Sequence, residues 1–522
     1  MQNTKNMDAT ILWADDEIDL LKPHILFLQE KGYEVITTNS GSEALDLIED
    51  QSFDIIFLDE NMPGLTGVET LERIKGKYPN LPVVMITKSE EEGIMNEAIG
   101  SNISDYLIKP VNPNQILLAI KKNLENRKLV SDKTSMTYQQ QFREIGSRLS
   151  PKLDFEEWVD IYRQLVYWEL ELGKSQDDNL RDIFLMQKAE ANNVFSRFIR
   201  ENYTDFLRAK TEDTPVMSHT LFREKCLPLI QDRQEIFIIM IDNLRFDQWK
   251  VLQPRIEELY RTEKEEVYLS ILPTATQYAR NAFFAGLMPG EIQKRYPNYW
   301  TGEMDEGTRN QFESELLREQ LQRLGKSISF NYHKILNLTA GKKLQSNLSD
   351  YTSQKLNVLV YNFVDMLSHS RTEMEVIKEL AETEAAYRSL TVSWFDHSPL
   401  LDIISQLAEK KIPVILTTDH GSVRVNHPTK VVGDKNTNTN LRYKTGKNLQ
   451  YDPREVFEVK NPADVYLPKD NVSANFIFAL EDHFFVYPNN YNYFVNYYRN
   501  TFQHGGVSLD EMMIPFIYLK PK

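Results

Sequence analysis

A single cysteine, Cys226, in 522 residues leaves no intrachain disulfide and points to a reducing compartment. No apolar run approaches the length that crosses a bilayer, and the first residues, MQNTKNMD, are polar, so a cytoplasmic protein without a membrane span is expected. Positive charge is also scarce. The 60 lysines and arginines face 76 acids, a formal charge of −16, which argues against broad binding to long nucleic acid. It does not exclude a small anion drawn into a local pocket. No helix-turn-helix or zinc-finger pattern and no internal repeat is recognisable, so direct sequence-specific DNA binding is not expected. What remains, 41% hydrophobic and 26% charged residues, is ordinary globular composition, and the length predicts two to four domains.

Residues 8–128 alternate strand and helix patterns with short connections, which predicts a doubly wound domain with a five-stranded parallel sheet and five helices. Polar residues gather at the strand ends. Asp15 and Asp16 follow the first strand, Asp59 ends the third, Thr87 ends the fourth and Lys109 follows the fifth. Carboxylates converging in a crevice call for a cation, and magnesium suits an all-oxygen set. Asp59 would be the phosphoacceptor, with Thr87 and Lys109 meeting the phosphoryl oxygens. These positions together resemble the receiver domain of bacterial response regulators. The resemblance implies Asn61 as a further magnesium ligand through its carbonyl, Tyr106 as the switch aromatic paired with Thr87, and a cis bond at Lys109-Pro110. It also implies a sensor histidine kinase as phosphodonor and a homodimer on phosphorylation.

Residues 129–230 lose strand-like runs and become helical in pattern. In FEEWVDIYRQLVYWELELG, Trp158, Ile161, Tyr162, Leu165 and Trp168 fall on one face. A linker bundle of roughly four helices is predicted. It could relay a signal or act as a plain spacer.

Residues 235–522 alternate strands and helices again, predicting an α/β domain with long inserts, among them a helical stretch around 372–410. Three apolar runs, EIFIIMID, NVLVYNFVD and IPVILTTD, end in Asp242, Asp365 and Asp419. Such runs read as buried parallel strands, whose carboxyl ends collect ligands. With Thr276, His369, His420 and His504 these acids form a nitrogen and oxygen donor set suited to a pair of zinc ions. His369 lies four residues after Asp365, one helical turn on. The segment PTATQYARNAFFAG places Thr274 and Thr276 where a strand passes into a helix, a position that favours an incoming phosphate.

That segment resembles the nucleophile motif of the alkaline phosphatase superfamily, in particular its nucleotide pyrophosphatase/phosphodiesterase branch. The resemblance implies Thr276 as nucleophile, with Thr274 supporting the turn; Thr274 stays open as the alternative. It implies one zinc held by Asp242, Thr276, Asp419 and His420, and a second by Asp365, His369 and His504. No arginine directly follows Thr276, which favours a diester over a monoester. Six lysines and arginines over 424–447 against one acid could attract a nucleotide, and the aromatic run at 484–498 could stack a base or simply pack. The order of parts resembles the PorX-like response regulators with a C-terminal PglZ domain, linked in Bacteroidota to type IX secretion. The expectation is a phosphodiesterase acting on a nucleotide or oligonucleotide under receiver control. The competing expectation is a non-catalytic, zinc-stabilised regulator that binds a protein partner such as a sigma factor or a secretion-machinery protein.

Overall fold

Runs such as TILWA, IIFLD and VVMIT are too apolar for a one-sided sheet, and in the computed structural model they form strands covered on both faces. The structure describes residues 9–79, 81–88, 103–174, 178–208, 214–231, 235–302, 310–352, 354–367, 383–434, 437–469 and 474–522, the side chains of 125–136 and 178 excepted. The chain divides into two compact units, Met1–Gln141 and Phe142–Lys522.

The first unit holds β1 (Thr10–Ala14), β2 (Glu34–Thr38), β3 (Ile55–Asp59), β4 (Val83–Thr87) and β5 (Asp105–Ile108), all parallel in the order β2-β1-β3-β4-β5. Alternate side chains feed two cores. Leu12, Ile56, Leu58 and Met85 lie under the helices Gly41–Asp50 and Gly67–Lys77. Ile11, Trp13, Phe57 and Val84 face the helices Lys22–Glu30 and Pro113–Arg148. The five-stranded receiver sheet read from the sequence is present. The fourth of the five expected helices, between β4 and β5, lies outside the described residues. The reversal of strand order at β1 and β3 opens a crevice at their carboxyl ends, where the acids sit.

The second unit begins with two long helices, Phe155–Gly173 and Asp178–Arg208. The first starts at a capping box in which Asp154 and Glu157 bond each other's backbone amides. Its stripe from Trp158 to Trp168 is buried as the spacing predicts, and Trp158 meets the rings of Phe195 and Phe198 at 5.3 and 5.9 Å. The polar exceptions are what tie these helices to the rest of the unit. Lys188 reaches Glu169 at 2.7 Å and Asp510 at 2.9 Å, and Arg388 reaches Glu169 at 2.6 Å and Asp247 at 2.9 Å. Arg245 contacts Asp247 and Glu384, each at 2.6 Å. Three cations and four acids thus form one mostly buried cluster.

Beyond them a six-stranded mixed sheet forms the centre. Its strands are β6 (Ile236–Ile241), β7 (Tyr260–Leu269), β8 (Phe330–Ile335), β9 (Leu356–Tyr361), β10 (Val414–Thr417) and β18 (Met513–Pro521), ordered β7-β18-β10-β6-β9-β8. The run from β10 through β6 and β9 to β8 is parallel, whereas β18 lies antiparallel to both β10 and β7. The short strands β11 (Val423–Arg424), β12 (His427–Lys430), β13 (Tyr443–Gly446), β14 (Val456–Val459), β15 (Asn475–Ala479), β16 (His483–Val486) and β17 (Phe502–Gln503) build small sheets between β10 and β18. No described helix is long and apolar enough to cross a membrane.

Candidate functional site

In the first unit Asp15 and Asp59 are buried, and Asp16 is exposed at the mouth of the crevice. The three carboxylates offer oxygens that all lie within 4.8 Å of one another. The Lys109 ammonium sits 2.9 Å from Asp15 and 2.7 Å from Asp59, which places it where it could meet an oxygen of a phosphoryl group on Asp59. Burial pushes the Asp59 carboxyl above its ordinary range, against the hydrogen bond and charge of Lys109. The Asn61 amide donates to Asp59 at 2.9 Å, which brings that residue's backbone to the site. Thr87, fully buried at the end of β4, meets the Tyr106 hydroxyl, and Lys109-Pro110 is cis. All the receiver positions named from the sequence therefore converge on one crevice.

In the second unit the site is assembled from loops at the carboxyl ends of β6 and β10. Asp242 follows β6, while Asp419 and His420 follow β10. Across from them the helix Thr276–Ala285 presents its first residue. In the run Ile271–Ala285 every residue is buried except Thr276, which is half-buried. Its hydroxyl lies 3.3 Å from Asp242 Oδ1 and 3.1 Å from His420 Nε2, and His420 Nε2 lies 3.7 Å from Asp242 Oδ1. Donors bound to one tetrahedral zinc at about 2.0–2.1 Å lie roughly 3.3 Å from one another, so this triangle matches a metal's ligand edges.

Both site histidines are held in one orientation. His420 Nδ1 meets the Gly421 carbonyl at 3.1 Å, and His504 Nδ1 meets the Thr274 carbonyl at 3.0 Å. A ring nitrogen can only donate to a carbonyl, so in the neutral rings Nε2 carries the free lone pair, as a metal ligand requires. His504 Nε2 lies 3.6 Å from Asp365 Oδ1, and the two imidazoles stack with centroids 4.3 Å apart. His369, expected beside Asp365, lies outside the described residues. Thr274 is fully buried and its hydroxyl is used by the fold: it donates to the Gly506 carbonyl at 3.0 Å and accepts from the Gly505 amide at 2.9 Å.

One member of the site was missed in the sequence. Arg280, four residues after Thr276 and fully buried, ion-pairs with Asp242 Oδ2 and reaches Asp419 Oδ2 at 2.9 Å. Its one-turn spacing from Thr276 was the available signal. Residues four apart share a helix face, whereas the position directly after Thr276 does not. Arg280 occupies Asp242 Oδ2 and so leaves Asp242 Oδ1 toward Thr276 and His420, whereas Asp419 Oδ1 accepts from the Asn243 and His420 amides and its Oδ2, beside Arg280, is the oxygen nearer His420 Nε2. Burial pushes the Asp242 carboxyl above the usual range despite Arg280. Asp419 is buried as deeply, but Arg280 and His420 hold it below that range. One guanidinium against Asp242, Asp419 and the nearby Asp365 leaves negative charge in excess, so the donor set fits divalent cations.

Two sequence expectations read differently in three dimensions. In the basic stretch 424–447, Arg442 is fully buried against Glu511 at 2.6 Å and Lys444 is buried beneath Tyr487, so neither is free to attract a polyanion. In the aromatic run, Phe494 and Tyr498 pack inward, while Tyr493 and Tyr497 stack on each other at the surface.

Comparison with known proteins agrees with this layout. Residues 11–121 match the response regulator receiver domain, 128–207 the PorX response regulator linker domain, and 221–519 the BREX system PglZ alkaline phosphatase-like domain. Two curated relatives are similar over about a quarter of the chain. The alginate biosynthesis transcriptional regulatory protein AlgB of Pseudomonas putida is 34% identical over 129 residues, 25% of this chain and 29% of its own length. The transcriptional regulatory protein ZraR of Escherichia coli K12 is 31% identical over 136 residues, 26% of this chain and 31% of its own. The chain thus spans less than a third of the length of these two. Among solved structures, a CheY-like receiver domain protein from Methanospirillum hungatei is 29% identical, with a TM-score of 0.22, covering 22% of this chain and 94% of that one. The PglZ match spans more than half of the residues, and the chain therefore belongs to the PglZ alkaline phosphatase-like family, as a member that carries a response regulator receiver and a PorX-type linker.

Proposed function

We propose that this chain is a phosphorylation-controlled regulator whose output is a dizinc phosphodiesterase acting on a nucleotide or oligonucleotide, with Thr276 as nucleophile. The observation that carries the reading is the Thr276 hydroxyl. It is half-exposed at a helix N-terminus in an otherwise buried run, and it lies within 3.3 Å of both Asp242 and His420. Asp242, Thr276, Asp419 and His420 would hold one zinc, and Asp365, His369 and His504 the other. A bound divalent pair supplies acidity to the hydroxyl and charge to offset that on the phosphoryl oxygens.

Asp242 Oδ1 accepts the Thr276 proton in the resting site, and Arg280 keeps that oxygen turned toward the threonine. Attack of Thr276 Oγ on phosphorus forms a phosphothreonyl diester as the bond to the leaving alcohol breaks, and the proton passes to that alcohol. Water then cleaves the threonyl ester and releases the nucleoside monophosphate. The amides at the start of the helix Thr276–Ala285 face the phosphate and favour its charge. Thr274 cannot take this role without giving up its bonds to Gly505 and Gly506.

Upstream, the receiver implies a kinase as phosphodonor. We assign that role to a sensor histidine kinase and the receiver cation to Mg²⁺ held by Asp15, Asp16, Asp59 and Asn61. Phosphorylation of Asp59 raises the homodimer fraction in this reading. The setting, control of type IX secretion in the cytoplasm, is supported by the PorX-type linker match. A second reading, a non-catalytic regulator for a protein partner such as a sigma factor, draws on Arg280, whose guanidinium already spans two of the metal-seeking carboxylates.

Substitution separates the two. Thr276→Ala should lower diester turnover by about 10³-fold or more while zinc content falls modestly. Asp419→Ala and His504→Ala should lose zinc and activity together. Near-normal turnover by Thr276→Ala would remove it as the nucleophile. Zinc-loaded wild type without hydrolysis of any mono- or diester would leave the partner-binding reading in place.

A further inference from the structure

We propose that the cavity at the carboxyl ends of β8 and β9 is the subsite for the nucleobase of the substrate, which deepens and rests on the diester reading above. The cavity has a volume of about 430 Å³ and is walled by Leu336, Tyr361, Phe363, Met366, Trp394 and His397. That size lies within the range of small-molecule pockets, which combine apolar walls with a few polar atoms.

Its position follows from one helical turn. Residues 363–367 are helical, so Phe363 and Met366, three apart, share a face, while Asp365 projects from another. Asp365 Oδ1 lies 3.6 Å from His504 Nε2, whereas Phe363 and Met366 line the cavity. The same turn therefore borders the metal donors on one side and the cavity on the other. A phosphate at the donors and a base in the cavity would belong to one nucleotide.

The wall is built for a flat ring. Phe363 and Trp394 stack with centroids 4.3 Å apart at an interplanar angle of 4°, an ordered pair whose outer ring faces could continue the stack onto a base. Leu336 and Met366 are 52% and 47% exposed, apolar surface that a ligand would cover. Tyr361 is only 4% exposed, yet its hydroxyl has no hydrogen-bond partner among the described residues. A buried hydroxyl left unpaired is costly; its oxygen is closed to water behind the cavity wall, and a base edge that displaced that cover would supply the missing partner. His397 anchors Nδ1 on the Ser393 carbonyl at 2.8 Å and can offer Nε2 as a second polar contact. The Tyr493–Tyr497 pair lies at the surface, with Tyr493 63% exposed, so a base there would stay largely in water, and it is the weaker place for a base.

The test is calorimetric titration of zinc-supplemented full-length protein with AMP and with ribose 5-phosphate, which share the phosphate and sugar. Wild type should bind AMP at least about tenfold more tightly, the worth of stacking one base. Tyr361→Phe, which removes only the hydroxyl, should reduce that preference roughly 3–10-fold. Trp394→Ala should bring the two ligands close to parity, and Tyr493→Ala should not alter their ratio. Equal binding of the two ligands by wild type, or an unchanged preference in both Tyr361→Phe and Trp394→Ala, overturns the assignment. Loss of preference in Tyr493→Ala alone moves the base to the surface pair and also overturns it. The same preparation is assayed on bis(p-nitrophenyl) phosphate, which has no base. Turnover without AMP preference refutes the subsite and leaves the diesterase reading standing. AMP preference that the variants lose, without turnover, supports the subsite and refutes the diesterase reading.

Discussion

Replacing Lys188 by methionine should show how firmly the two long helices are tied to the rest of the second unit. Lys188 is 12% exposed and is the cation shared by Glu169 and Asp510. Burial alone would raise the Glu169 carboxyl, but Lys188, and after it Arg388, hold it down from 4.5 to about 2. That depression is worth roughly 3 kcal/mol. Removing one partner of a buried pair costs about 3–5 kcal/mol, because the remaining charge stays buried. We expect Lys188→Met to lose about 3 kcal/mol in urea unfolding at pH 7, or roughly 5–10 °C in melting temperature. The pH dependence carries a sign. Because the folded pKa of Glu169 lies below its unfolded one, its share of stability is complete above pH 4.5 and drains away as pH falls toward 2. Lys188→Met loses most of that share beforehand, so the gap between variant and wild type should narrow across that window. The double variant Lys188→Met/Asp510→Asn should recover at least half of the loss, since Asp510 is then neutral and can still accept from Tyr162. A loss below about 1 kcal/mol, or no recovery in the double variant, would refute the view that this cluster ties the helices to the rest of the unit.

Further outcomes follow from single positions. Asp59→Asn should abolish the acid-labile phosphate formed with acetyl phosphate and magnesium; a persisting adduct would displace Asp59 as acceptor. Gly421→Ala puts a methyl 2.0 Å from the Asp510 carbonyl oxygen, beside His420, and should cost about 1–3 kcal/mol with reduced zinc content by atomic absorption. Normal zinc and stability would mean that the loop yields freely. Burial lowers the Lys444 ammonium to about 7, so between pH 7 and 10.5 the unfolded chain binds the extra proton and stability rises with pH. From pH 7 to 9 the gain should be about 2 kcal/mol in urea unfolding and absent in Lys444→Met; parallel profiles for the two would refute it.

What the sequence made legible has a physical basis. An apolar run that ends in an acid has little reason to exist except as a buried strand presenting that acid at its end. Asp59, Asp242 and Asp419 were therefore readable from local pattern, and the order of motifs supplied Thr276 and His504. Arg280 was not readable in the same way, because a charged residue in a helix looks like a solvated face until the strand ends opposite it are known. The cluster of Glu169, Lys188, Asp247, Arg388 and Asp510 was hidden for a related reason. Its members come from segments hundreds of residues apart, and no local period marks a charge that will be buried. The basic stretch at 424–447 misled in the opposite sense, since Arg442 and Lys444 turn inward to satisfy Glu511 and backbone carbonyls.

The place of β18 in the central sheet has a consequence for synthesis. This strand is inserted between β7 and β10, yet it follows β10 by nearly a hundred residues and β7 by more than two hundred. A nascent chain that has passed β10 but not reached Met513 would display two open strand edges, the kind of surface that invites aggregation or a chaperone. The receiver can close on the ribosome long before, because its five strands are complete by Ile108. A ribosome that stops early would thus release a chain able to accept a phosphoryl signal and unable to assemble the loops that carry Asp419 and His420. The topology makes synthesis through Met513 a condition for closing the central sheet behind those loops.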